Sequence, residues 1–334
     1  MIETESGNIV ARPIDISWHA GLPIFASEPF LRSVGDNFGW LGGFRRGGEL
    51  VCILPYTIIK KSIVHMVRFR VETIQLKGNL SIEEEKSFLN SAAAYLEKAG
   101  ADMIIPATTN AIFRTFPDGA VAAPYGTYII DLTQPEEVLW KNLSESHRRK
   151  VRLALKKGVQ VAEGNSYIDT AYNLVRDTFK RSRMGFMQRS DFNRYIEGLG
   201  ENIKISVAII GCEVQACIIV PFSEYSAYYV YGGSTADPVA GATNLLHWEA
   251  IRSLRRRGVK RYDFVGVRIN PEKGSKQEGL SVYKQRFGGI LHKGYIWKKA
   301  FRPLKYAAYC LGVRLLRRGD IVDQERHKMV DYSP

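Results

Sequence analysis

Apolar and β-favouring residues cluster at 39–44 and 50–60, and Arg45-Arg46-Gly47-Gly48 between them supplies the glycines of a turn, so the pair predicts a hairpin. A helix is expected over 82–98: Ser81 stands at its N-cap, Glu83, Glu84 and Glu85 fill its first turn, and Gly100 closes it. An apolar strand at 101–105, a loop with Pro106, Thr108, Thr109 and Asn110, and a strand at 125–132 follow. Pro135 and two acids open a helix over 135–143, and Ser144 caps another over 145–157 that Gly158 stops. The rest reads as a strand at 159–162, helices at 167–183 and 190–198, and strands at 203–210 and 214–221 around Gly211-Cys212-Glu213. Then come an aromatic strand at 227–231 ending in Gly232-Gly233, a helix at 245–257, a strand at 261–265 ending at Gly266, a helix at 278–287 and a strand at 290–297.

Composition narrows the class. The chain has 334 residues, 45% hydrophobic and 24% charged, which excludes a disordered, collagen-like or coiled-coil protein. Its length fits two domains at ~150 residues each. No run approaches the ~20 apolar residues of a membrane span, and residues 1–7 lack the basic and apolar regions of a signal peptide, so a cytoplasmic location is expected. Four cysteines without CxxC spacing read as buried thiols, and six histidines without HExxH spacing give no metal site. Charge changes the picture more: 47 Lys and Arg against 34 Asp and Glu leave a net +13, which favours anionic partners such as nucleic acid, phosphorylated ligands or acidic lipid headgroups.

The second half runs helix, helix, three strands, helix, strand, helix, strand, the order of the GNAT acetyltransferase fold. Its motifs sharpen that order. Leu139-Trp-Lys-Asn-Leu-Ser-Glu-Ser-His-Arg-Arg-Lys-Val-Arg-Leu-Ala-Leu-Lys-Lys-Gly-Val, then Tyr231-Gly-Gly-Ser, Leu246-His-Trp-Glu-Ala-Ile, Gly258-Val-Lys-Arg-Tyr-Asp-Phe-Val-Gly and Gly279-Leu-Ser-Val-Tyr-Lys-Gln-Arg-Phe-Gly-Gly occur in that sequence. Together they resemble the landmarks of FemAB-like proteins, well over 135–300 and in outline over 1–134. The resemblance implies an α/β (α+β) protein of tandem GNAT-like domains, each a mixed, mostly antiparallel sheet flanked by helices. Residues 1–133 would form the first, 134–300 the second with the FemAB-type motifs, and 301–334 an amphipathic helix and tail packing back on the first. It further implies amide formation on peptidoglycan or other envelope precursors, the acyl group coming from aminoacyl-tRNA, or from acyl-CoA in broader relatives, with no tightly bound cofactor. The long helical-hairpin arm of larger members has no counterpart here.

Acyl transfer to an amine needs a neutral amine, a held carbonyl and stabilisation of the oxyanion. The donor ester or thioester is already activated, so positioning supplies much of the rate and no nucleophile is required; neither GxSxG nor a Cys/His pairing is present. Asp263, at a strand end beside a glycine, could take the amine proton or orient the acceptor, or could simply cap a turn. The family match favours Lys284 in the cleft, near a donor carbonyl or phosphate, as the second catalytic candidate. It also marks Tyr231, Gly232, Tyr283, Arg286 and Phe287 as substrate-binding positions, and Arg148 or Arg149 as a phosphate contact on a helix that otherwise reads as a solvated cationic face. Where acetyl-CoA enzymes carry a glycine-rich pyrophosphate cradle, this chain has Asp237 and Pro238.

In the last helix Leu304, Ala308, Leu311 and Leu315 form one narrow apolar stripe, with Arg302, Lys305, Arg314, Arg317 and Arg318 elsewhere around it. The stripe either docks on the first domain or lies at an anionic membrane surface. The expected activity is N-acyl transfer to a lipid-linked or nucleotide-linked envelope precursor, at the inner face of the membrane if the acceptor is lipid-linked. The alternatives are an acyl-CoA-dependent N-acetyltransferase of an amino sugar, and a non-catalytic basic module for RNA or membrane, for which no RNA-binding signature is found.

Overall fold

The computed structural model describes residues 8–77, 80–317 and 319–330. In chain order the elements are β1 (Val10–Ile14), α1 (Glu28–Val34), β2 (Asn37–Phe44), β3 (Leu50–Lys61), β4 (Val64–Phe69), β5 (Ile74–Gln75), α2 (Ile82–Lys98), β6 (Met103–Ile104) and β7 (Val121–Asp131). They continue with α3 (Glu136–Asn142), α4 (Glu145–Lys156), β8 (Gln160–Glu163), α5 (Ile168–Arg181), α6 (Arg189–Leu199), β9 (Ile203–Ile210), β10 (Glu213–Pro221), β11 (Ala227–Tyr228) and β12 (Tyr231–Ser234). The last are α7 (Ala242–Arg256), β13 (Arg261–Asp263), α8 (Lys276–Gln285), β14 (Ile290–Ala300), α9 (Pro303–Arg317) and α10 (Ile321–Val330).

The expected helices form where their caps stand. Ser81 accepts the Glu84 amide at 3.1 Å and Glu84 accepts the Ser81 amide at 2.9 Å, a reciprocal box that fixes the start of α2. Ser144 and Ser275 accept amides at the starts of α4 and α8. In the predicted hairpin β2 and β3 pair antiparallel from Asn37↔Ile58 to Gly43↔Cys52. Its turn uses left-handed Gly47 (φ 99°) and Gly48 (φ 87°), a conformation glycine adopts at least cost.

Two sheets result. A ten-stranded sheet runs β1-β2-β3-β4-β6-β14-β7-β13-β11 with β5 on β3, and a four-stranded sheet runs β12-β10-β9-β8. Most neighbours are antiparallel; β4–β6 and β11–β13 are parallel. The order of four paired strands, a helix and a returning strand occurs twice, as β1–β4, α2, β6 and as β8, β9, β10, β12, α7, β13. This is the tandem GNAT-like, mixed α/β architecture. β14 joins the halves, pairing with β7 from Ile290↔Ile129 to Lys298↔Val121 and with β6 at Lys299↔Ile104. Phe69, Phe113 and Trp297 pack edge-on beside that seam, with ring centroids 5.4–5.8 Å apart.

Several expectations need correction. The single aromatic strand expected at 227–231 is two: β11 stays with β13 while β12 leaves to pair with β10, so the two sheets splay at Tyr229 and Val230. The strand expected over 101–105 shortens to β6, and β7 begins earlier than expected. β1, α1, β4, β5 and α10 are additional to the elements the pattern predicts; β1 carries Pro13, tolerated because β1 is an edge strand. On α9 the expected stripe does not dock. Tyr306 and Tyr309 turn inward against Met66, Met103 and Ile105 instead, because an aromatic ring gains more by burial than alanine or a single leucine, and Lys305 donates to Asp102 at 2.9 Å. Arg318 and the side chain of Arg317 lie outside the described residues.

Candidate active site

The end of β13 lies buried beside the sheet splay, where the backbone is forced into an unusual shape. Val265 (φ 39°) and Gly266 (φ 41°) are both left-handed. For a β-branched residue that conformation costs ~1–3 kcal/mol and persists only where neighbours over-determine it. They do so here from both sides. The Val265 amide donates to Asp263 Oδ1 at 2.7 Å, and the Thr127 hydroxyl of β7 donates to the same oxygen. From α8, Lys284 Nζ donates to the carbonyls of Val265 and, at 2.7 Å, of Gly266. The Gly266 amide donates to Thr109 O at 3.1 Å, so the 106–111 loop of the N-terminal half closes the turn from below.

Burial sets the electrostatics. It pushes the Asp263 carboxyl up to about 6, against the hydrogen bonds from Thr127 and Val265 and the charges of Arg261 and Lys284. It pushes the Lys284 ammonium down to about 8, with Asp263 opposing. A second carboxylate comes from the chain between β4 and β5. Burial raises Glu72 to about 7, Arg261 opposing, and Glu72 Oε2 is buried without a hydrogen-bond partner. Arg261, despite burial, is held above its ordinary value by Tyr225, Tyr228 and Glu72, and its guanidinium lies 4.1 Å over the Tyr225 ring. Arg70, driven down to about 9 by burial, donates to Thr57 Oγ1 at 3.0 Å, while its own carbonyl accepts from Asn110 at 2.8 Å.

Glu72, Arg70 and Thr127 are not among the residues that sequence reasoning singles out, and Arg261 reads there only as part of a basic cluster of structural role. The available signal is Arg68-Phe-Arg70-Val-Glu72, charges spaced at every second position through an otherwise apolar stretch. A carboxyl whose folded pKa is raised binds more protons folded than unfolded, so its contribution to stability falls as pH rises from its unfolded pKa through its folded one. For Glu72 that window runs from its ordinary 4.5 to about 7, with a loss on the order of 2 kcal/mol. Urea unfolding at pH 5 and pH 8 should show Glu72→Gln losing less stability over this window than the parent. Equal losses would mean that Glu72 is solvated.

The remaining sequence candidates divide. Tyr283 and Phe287 build a second buried polar cluster with His147 of α4 and His247 of α7; Phe287 is 1% exposed, with ring centroids 4.5 Å from His147 and 4.9 Å from His247. His147 Nε2 faces the Tyr283 carbonyl at 3.2 Å, so that nitrogen carries the proton and Nδ1 does not. His147 Nδ1, His247 Nε2, the Tyr283 hydroxyl and Asn244 Nδ2 are buried without partners. Burial holds both imidazoles neutral, His147 down to about 4 and His247 to about 3. Arg286 and Arg149 are exposed. Arg148 donates to the carbonyls of Leu143 and, at 2.7 Å, of Lys141, closing the end of α3. Tyr231 packs on Phe186, 5.1 Å between centroids, and Gly232 lies against the Tyr229 ring. A cavity of about 440 Å³ beside Asp169 and Arg189 and another of about 210 Å³ beside Tyr56 and His65 are lined by none of these residues. The strained turn therefore marks the site better than cavity size does.

Twin strand–helix–strand halves with a sheet splay between them are a tandem GNAT-like fold, and residues 141–285 match the acetyltransferase (GNAT) domain family. Over 74 residues, 22% of this chain and 18% of the relative, the sequence is 34% identical to the lipid II:glycine glycyltransferase of Staphylococcus haemolyticus; the match spans less than a fifth of that protein. The fold resembles the crystal structure of FemX, with a TM-score of 0.67, 14% identity, and 89% of this chain covering 99% of that one. A conserved protein of unknown function from Bacteroides thetaiotaomicron shares it less closely, at TM-score 0.50 and 11% identity over 82% of this chain and 90% of that one. The GNAT match is thus confined to residues 141–285, and the likeness to FemX is one of fold.

Proposed function

We propose that this protein transfers an aminoacyl group from charged tRNA to an amino group of a peptidoglycan precursor, forming an amide. The observation that carries this reading is the strained 265–266 turn gripped by Asp263 and Lys284, with Glu72 Oε2 buried nearby without a hydrogen-bond partner. Lys284 uses two of its three N–H groups on carbonyls, so the third is free to meet the oxyanion as the amine nitrogen attacks the ester carbonyl. Glu72, poised near neutral pH, accepts the proton the amine must lose. The carbon–oxygen bond to the tRNA ribose then breaks, and that oxygen leaves with the proton Glu72 had taken, which restores the carboxylate. Asp263 positions the turn and its charge keeps Lys284 protonated.

Packing at the start of α7 weighs against CoA as donor. Gly241 is so close to α4 that a Cβ there would collide with the Lys150 carbonyl, 2.9 Å from its carbon and nearer still to its oxygen, leaving little room for a pyrophosphate at that helix end. The likeness over 74 residues to a lipid II:glycine glycyltransferase supports a lipid-linked acceptor. Filter binding to a pool of charged tRNA, with acetyl-CoA as competitor at two salt concentrations, tests the donor. Retention should prefer charged over uncharged tRNA and survive the higher salt. Displacement by acetyl-CoA would instead support N-acetylation of an amino sugar.

A further inference from the structure

The stripe of α9 that fails to dock is the most exposed apolar surface on a described helix: Leu304 is 87%, Leu311 60% and Leu315 78% exposed, with Ala307 and Ala308 open between them. The helix is nevertheless held firmly from its other side. Tyr306 and Tyr309 pack on Met66, Met103 and Ile105, and Lys305 donates to both Asp102 oxygens, at 2.9 and 3.0 Å. The same ammonium donates to Ile63 O at 2.7 Å, which ties the β3–β4 turn to the start of α9. That turn adds Ile63, 73% exposed, and the exposed Lys60 and Lys61. Arg302, just before α9, and Arg314 on it are exposed. Near this face Asp102 pairs with Lys305 and Glu97 with Arg302 at 3.7 Å, and Asp36 accepts the Lys60 amide.

We infer that this face, the α9 leucines with Ile63 and a rim of Lys60, Lys61, Arg302 and Arg314, seats the protein on an anionic lipid bilayer. Three leucines in one stripe, with Ile63 on the turn tied to the same helix and a rim of cations, match a surface that offers acyl chains behind negative headgroups. An interfacial helix sinks its apolar face ~5–10 Å into that boundary, and each nearby cation adds ~1 kcal/mol of attraction to acidic lipid. A protein partner would ordinarily need ~800 Å² of complementary surface on each side, whereas a bilayer needs only the protruding stripe. Among the described residues no helix is long and apolar enough to cross a membrane, so the seat is peripheral. The inference deepens the proposed function, because a lipid-linked acceptor lies at this boundary.

Co-sedimentation of the full chain with vesicles of equimolar phosphatidylglycerol and phosphatidylcholine, and with phosphatidylcholine alone, tests it. The parent should bind the anionic vesicles more tightly. The triple variant Leu304→Ser, Leu311→Ser, Leu315→Ser should bind them at least about tenfold more weakly, and Lys60→Glu with Lys61→Glu should abolish the preference for acidic lipid. All five side chains are exposed, so an unchanged melting curve is expected and checks the fold. Parent-like vesicle binding by the triple variant overturns the seat. So does a concentration-dependent dimer that the triple variant loses while the parent ignores vesicles, since a second copy would then cover the stripe. Transfer to a water-soluble nucleotide-linked acceptor should be unchanged in the triple variant. If the parent binds vesicles through the stripe but transfers to no acceptor, the seat stands and the enzymatic reading falls.

Discussion

Lys284→Met should lower the single-turnover rate of acyl transfer by ~10²–10³-fold with little change in donor binding, and Asp263→Asn should do nearly the same. Methionine keeps the length and apolar stem of the lysine but removes the donors that hold the Val265 and Gly266 carbonyls and the N–H proposed to meet the oxyanion. Removing one such donor typically costs that factor. Asn at 263 keeps an oxygen for the Val265 amide and the Thr127 hydroxyl, but removes the charge that keeps Lys284 protonated in its buried surroundings. The two residues act on one turn, so the double variant should cost little more than either single one. Far-ultraviolet circular dichroism and urea unfolding separate this from misfolding. Unchanged turnover in both single variants would remove the Asp263–Lys284 pair from the chemistry and leave a structural clamp.

Legibility in the sequence follows how locally each feature is determined. The Ser81 and Ser144 caps and the Gly47-Gly48 turn act within four residues, so those helices and the first hairpin could be read from their own stretches. β4 is harder: His65 and Arg68 interrupt its apolar pattern, and it is held by pairing with β3 and with β6 beyond the next helix. The split of 227–231 has no local cause. Residues 227–228 follow β13 and residues 231–234 follow β10, two partners on opposite sides of the splay. The site shows the same division. Asp263 and Lys284 lie in motifs that could be picked out whole, but the groups that fix their chemistry come from far along the chain. Thr127 is 136 residues from Asp263, and Glu72 belongs to the other half of the fold. A carboxylate becomes noteworthy through burial without a partner, which no window of sequence displays.

Gly241→Ala should destabilise the fold by about 2–5 kcal/mol, a large part of the ~5–15 kcal/mol that holds an ordinary domain together. Gly241 is left-handed, at φ 91°, where an L side chain is strained by ~1–2 kcal/mol. The added Cβ would stand 2.9 Å from the Lys150 carbonyl carbon and closer still to its oxygen, and those atoms are helix backbone that cannot swing aside as a side chain would. Either α4 or α7 must move, and overpacking of this kind costs ~1–3 kcal/mol more. Gly279→Ala is the control: it lies within α8, where an added Cβ would meet nothing within 4 Å, so the better helix former should be neutral or stabilising by up to ~1 kcal/mol. Urea midpoints for the two variants read the difference directly. The outcome also bears on the donor, because the same close approach of α4 is what fills the start of α7. A parent-like midpoint for Gly241→Ala would mean that α4 yields easily there, and the packing argument against a CoA pyrophosphate at that helix end would fall with it.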